Sequence, residues 1–108
     1  MSRTDKLEMF KISCRMYKKE KEEVDAMPTN LDKLAEKNYE YLRADVEFVD
    51  RVMEKIALGH GTNAQLLVWE LYVENRTRLD VASEYHMNAK TVGVMVDKWL
   101  REALEDEF

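Results

Sequence analysis

Few side chains in this sequence have the types needed for bond-making or metal chemistry. There is one cysteine, Cys14, and there are two histidines, His60 and His86. A single thiol excludes an intrachain disulfide, and these three side chains fall short of the four ligands of a structural zinc site. Cys14 lies on an apolar stripe, the setting of a buried structural thiol rather than a nucleophile. The stretch Gly59-His60-Gly61-Thr62 has the glycines of a phosphate cradle but lacks the Gly-Lys-Ser/Thr pattern. A helix stop followed by a threonine cap accounts for it, which leaves His60 as a loop residue. Carboxylates are plentiful, yet none forms a pair set apart by apolar surroundings, as tuned acid-base catalysis requires. No catalytic residue, metal or cofactor is expected, and the chain is read as a non-enzyme.

Charge is the next chemical resource. The chain has 108 residues, with 17 Lys+Arg against 22 Asp+Glu and a net charge of −5. The distribution says more than the total. Residues 1–21 are net basic, through Arg3, Lys6, Lys11, Arg15, Lys18, Lys19 and Lys21, and this is read as a solvated helix face. Residues 61–108 are net acidic, with Glu102, Glu105, Asp106 and Glu107 gathered at the end. At 45% apolar and 36% charged, the composition excludes disorder and suits a charge-rich helical protein. Three glycines and one proline argue against collagen, flexible linkers and turn-dense β-sandwiches. The longest apolar run, residues 92–96, is far too short for a membrane span, and no signal-like segment opens the chain. A soluble protein of the cytoplasm is expected.

The elements that would position these groups are helices nearly throughout. Leu7, Phe10, Cys14, Tyr17, Lys21 and Val24 recur at steps of three and four. Met9, Ile12 and Met16 widen that face, so this helix should be covered by more than one neighbour or by a partner chain. Pro28 stops it. Thr29-Asn30 offers a cap for a second helix over 31–58, with Leu31, Leu34, Leu42, Val49, Val52 and Ile56 on one face. Tyr39 and Tyr41 on it are read as packing groups, and Gly59 as its left-handed terminator. Thr62 with Gln65 has the form of a capping box for a third helix, apolar nearly all round and therefore central. Thr77 with Asp80 caps a short helix over about 78–86 presenting Leu79, Val81, Ala82 and Tyr85. A tight turn at His86-Met87 follows. Asn88 then caps a last helix over about 89–106, with Val92, Met95, Val96, Trp99, Leu100 and Leu104 inward.

Two short helices joined by a tight turn across 78–97 have the spacing of a helix-turn-helix. The two must share one small apolar core, and Ala82 is small where they would cross. Residues 66–104 resemble the region-4-type helix-turn-helix of bacterial sigma factors, and in size the small phage-encoded transcription regulators of the ArpU and RinA type. The pattern carried is an apolar helix ending near Tyr72-Val73, a short polar link, a Thr-capped helix containing Val81-Ala82 and Tyr85, and a second helix opening on Thr91-Val92. The resemblance implies that the last helix enters the DNA major groove. Asn88, Ala89, Lys90, Thr91, Gly93 and Val94 would then reach base edges, with Gly93 and Val94 exposed on its outer face. Arg76, Arg78 and His86 would stand where phosphate contacts occur.

The expected architecture is all-α. A two-helix hairpin (1–60), the expected homodimerisation element, packs on a three-helix unit (61–108) that contains the helix-turn-helix. The expected partner is double-stranded DNA, with RNA polymerase a further candidate and no membrane. The alternatives are an adaptor that docks on RNA polymerase without reading DNA, and a small phage assembly or packaging protein.

Overall fold

The apolar spacing of residues 7–24 folds as helix α1 (Arg3–Asp25), and the next helical stretch as α2 (Lys33–His60). The computed structural model describes residues 3–27 and 32–107. Pro28, Thr29, Asn30 and Leu31, assigned above to a stop, a cap and a face, lie outside the described residues. Helix α2 opens on Asp32, whose carboxylate accepts from the Ala35 N–H at 2.8 Å. Its other end differs from expectation. Gly59 and His60 remain helical, and Gly61 takes the positive φ of 96°, donating its N–H to the Ala57 carbonyl at 2.8 Å. Gly61 is also the N-cap of α3 (Thr62–Tyr72). Thr62 is thereby already inside the helix, so the capping box does not form. Gln65 instead reaches sideways, donating from Nε2 to the Met53 carbonyl at 3.2 Å and tying α3 to α2.

Helices α4 (Arg78–Glu84) and α5 (Ala89–Leu104) follow, each about two residues shorter than expected. All described elements are thus helical; the hairpin of α1 and α2 packs on α3 and α5, and α4 is held by those two helices. One core runs through all five. Phe10, Val49, Val52, Val68, Val81, Val92, Val96 and Leu100 are fully enclosed in it. Helix α3 is central in its contacts but not buried all round: Ala64, Leu67, Val68 and Leu71 face inward while Leu66 is 42% exposed. Met9, Ile12 and Met16 on α1 also remain exposed within a single chain. No helix among the described residues is long and apolar enough to cross a membrane.

The end of α5 is held by cations from the hairpin. Lys6 Nζ donates to the carbonyls of Leu104 and Glu105 at 3.2 and 3.0 Å, and Lys55 Nζ to that of Ala103 at 3.2 Å. Positive groups here answer both the unpaired carbonyls and the negative end of the helix dipole. Arg51 and Lys55 also pair with Glu107 at 2.9 and 2.7 Å.

Candidate nucleic-acid interface

The α4–α5 connection is built from local chemistry. The Thr77 hydroxyl accepts from the Asp80 N–H at 3.1 Å, and the Asn88 side chain from the Lys90 N–H at 2.9 Å. Between them the chain reverses through His86, whose φ is 56°. The Met87 N–H bonds the Ala82 carbonyl at 2.8 Å and the His86 N–H bonds that of Ser83 at 3.3 Å. This pair of bonds is a Schellman motif with histidine in the left-handed position. Met87 packs against the core that contains Val81, the apolar contact such a motif favours. Ala82, 2% exposed, lies inside the reversal.

The expected contact residues separate into two groups. Arg76 is consumed internally. Its guanidinium pairs with Glu70 at 2.9 Å and with Glu84, and its N–H bonds the Glu70 carbonyl at 3.0 Å. The two carboxylates hold its pKa above the ordinary arginine value. It is a staple between α3 and α4, aided by Asn75 at a φ of 56°. Arg78 lies across α5, so that a β-carbon at Gly93 would stand 2.9 Å from its Nη1. Gly93 is therefore buried, not exposed on the outer face as expected, because the α4–α5 crossing passes over it. Ala89 is half-buried against the core. His86, Asn88, Lys90 and Thr91 are exposed, and Val94 is 62% exposed.

Extending the outward face along α5 adds two residues that the sequence reading missed, Lys98 and Arg101. Both are exposed. At 100° per residue, Lys90, Thr91, Val94, Lys98 and Arg101 fall within an arc of about 100° and span about 16 Å of helix. The i, i+4, i+8, i+11 spacing of 90, 94, 98 and 101 carries this signal in the sequence, beyond the first turn of the helix. Among the described residues no carboxylate pairs with Lys90, Lys98 or Arg101.

The acidic side chains of this half are largely engaged elsewhere. Glu74 pairs with Lys18 at 2.7 Å and also accepts from Trp69 Nε1. Glu102 meets His60 Nε2 at 2.9 Å, with the His60 ring stacked 5.4 Å from Trp99. Asp106 pairs with Lys55, and Glu107 with Arg51 and Lys55; these contacts, Arg51 foremost for Glu107, hold both carboxyls below their ordinary range. Elsewhere, burial and then the charge of Asp45 push the Cys14 thiol up to about 12, which makes it an inert core group. Among the described residues no three His, Cys, Asp or Glu side chains converge as metal ligands. No family model matches the chain, and no curated protein or solved structure matches it either.

Proposed function

We propose that this chain is a DNA-binding transcriptional regulator of the phage or prophage type, acting as a homodimer through its hairpin, with α5 as the recognition helix. One observation carries the reading: Lys90, Thr91, Val94, Lys98 and Arg101 form a single outward stripe whose cations have no carboxylate partner among the described residues. A stripe of this length fits a major groove, where lysine and arginine meet guanine edges or phosphates and a small apolar side chain meets a thymine methyl. The net acidity of the C-terminal half does not oppose this, since most of its carboxylates already have cationic partners. Arg78, Asn88 and His86 border the stripe and supply phosphate contacts; Arg76 does not.

The test is binding to random-sequence duplex across a salt series. Affinity should fall steeply with salt, and Lys90→Ala, Lys98→Ala and Arg101→Ala should each reduce the log–log salt slope by about one. Absence of binding at low salt overturns the reading. The adaptor reading then takes its place, favoured by the exposure of Leu79 (73%) and Val94 (62%) on the same two helices.

A further inference from the structure

The free end of the hairpin is formed by residues 18–27 of α1 and 33–45 of α2. Among these described residues a single side chain is buried, and it is a carboxylic acid: Glu20, 8% exposed. Val24, Ala35, Tyr39 and Leu42 are half-buried, and the other apolar groups of the two stretches are exposed. The rest of the hairpin is anchored differently, by Phe10, Cys14, Val49, Val52 and Ile56 in the core. A helix end with so little apolar cover opens at low cost and separately from the core.

Glu20 is held by a contact that needs a proton. Its carboxyl hydrogen-bonds Asp45 of α2. Ionised carboxylates only accept, so this bond exists only while one of the pair is protonated. Ser13 does not supply the hydrogen, because its hydroxyl donates to Asp45 Oδ1 at 2.5 Å. The second Glu20 oxygen, Oε2, is enclosed without a partner. No cation neutralises the pair. Neither Glu20 nor Asp45 forms an ion pair among the described residues, and the charges acting on Glu20, Asp45 from α2 and Glu23 from its own helix, are both negative. Lys19 is exposed, about 100° round the helix. Lys18 pairs with Glu74 of α3 at 2.7 Å, Lys21 with Asp25 at 3.4 Å, and Arg43 of α2 donates to the Met27 sulfur at 3.1 Å. Tyr17, the neighbouring polar link between the helices, donates to Asp50 at 2.6 Å.

Loss of the shared proton leaves two negative charges in contact, one of them out of water. We propose that this end of the hairpin is a proton-operated clasp: it is closed while Glu20 and Asp45 share a proton, and when that proton leaves to solvent α1 beyond Tyr17 parts from α2 while the core stays folded. A helix end deprived of its packing then frays. Burial first, then the hydrogen bond and charge of Asp45 and the charge of Glu23, bring the release to about 7 from an ordinary 4.5. Protonation therefore favours closure below about 7, and that gain is lost as pH rises through this value. The clasp is independent of whether α5 reads DNA.

The experiment is amide hydrogen exchange, followed residue by residue by NMR on the full chain at pH 6 and pH 8 and corrected for the intrinsic exchange rate at each pH. Amides of residues 21–25 should lose about tenfold of their protection between the two, the ratio for one proton released at about 7. Amides of Val52, Val68 and Val96 should keep theirs. Glu20→Gln sets an amide donor against Asp45 with no proton to lose, so residues 21–25 should be equally protected at both pH values. Asp45→Asn removes the second charge and offers Glu20 an amide donor, and should show a smaller drop than the native chain. Both substitutions are close in shape, and helical circular dichroism confirms folding. Protection of residues 21–25 that is the same at pH 6 and pH 8 in the native chain overturns the proposal. So does a loss shared equally by all five helices, or a folded Glu20→Gln chain that opens with pH as the native one does. If Glu20→Gln does not fold, an undiminished drop in Asp45→Asn overturns it.

Discussion

A β-carbon added at Gly93 would stand 2.9 to 3.3 Å from the guanidinium of Arg78. The obstacle is the far end of a flexible side chain, so the cheap response is for Arg78 to swing away while the helix stays. Alanine gains about 1 kcal/mol of helix propensity over glycine, set against the lost contact of Arg78. Gly93→Ala should therefore keep the fold and leave stability unchanged or raised by up to about 1 kcal/mol in urea unfolding; a loss above that would show the crossing itself to be tight. Glu20 makes the opposite point, about a group that is present. It is 8% exposed, and its Oε2 has no hydrogen-bond partner. Burial first, then its hydrogen bond to Asp45 and the charges of Asp45 and Glu23, raise its carboxyl from 4.5 to about 7. Because the folded state holds this proton more tightly than the unfolded chain, its contribution is fully present below about 4.5 and is lost as pH rises through about 7. Glu20→Gln should flatten the decline in stability between those values and raise stability at pH 8 by about 1–3 kcal/mol.

At the scale of elements, the α4–turn–α5 unit was the most legible part of the chain, because its signals are local. Thr77 and Asn88 need only their own helix's N–H groups, and both caps form. The reversal at His86-Met87 also follows from short-range geometry. Where two signals competed within a few residues, the sequence left the outcome open. Gly59 and Gly61 both offer a left-handed terminator, and the helix continues through the first because the next element starts directly after the second. The fate of Arg76 was illegible for another reason: its partners Glu70 and Glu84 come from two different helices. The same holds for Gly93, whose cover arrives from α4. Histidine in the left-handed region costs roughly 1 kcal/mol relative to glycine, part of which glycine returns through its freer unfolded chain. His86→Gly should thus stabilise by up to about 1 kcal/mol without altering the reversal. Ala82→Leu should cost about 1–3 kcal/mol, because a 2%-exposed site inside the crossing has no room for three more carbons. Unshifted thermal unfolding of Ala82→Leu would mean that α4 and α5 do not close on each other there.

For the molecule as a whole, the question is how a chain of net charge −5 leaves a cationic stripe free. The answer lies in where the acids are placed. Glu102, Asp106 and Glu107 at the end of α5 turn back onto α2, and Glu107 is the centre of that contact, with a side chain 10% exposed between Arg51 and Lys55. Removing its charge returns Arg51, 52% exposed, to water, so no buried cation is stranded and the loss stays moderate. Glu107→Gln should cost about 1–2 kcal/mol at pH 7, the scale of a hydrogen bond to a charged group discounted for exposure. The sign of the pH effect is fixed by the lowered pKa of Glu107. Its contribution is present above 4.5 and is lost as pH falls through the lower folded value, the reverse of Glu20. The two opposed dependences place the stability maximum between these windows, at mildly acidic pH. Urea unfolding of the native chain and of Glu107→Gln at a series of pH values from 7 downward checks this: the difference between the two chains should be largest at pH 7 and shrink as the pH falls below 4.5. If the clamp also keeps the acidic end off the DNA-facing stripe, Glu107→Gln should weaken duplex binding at low salt, although the substitution makes the protein less negative. Tighter binding by that variant would mean that net charge, rather than the placement of the acids, governs the interaction.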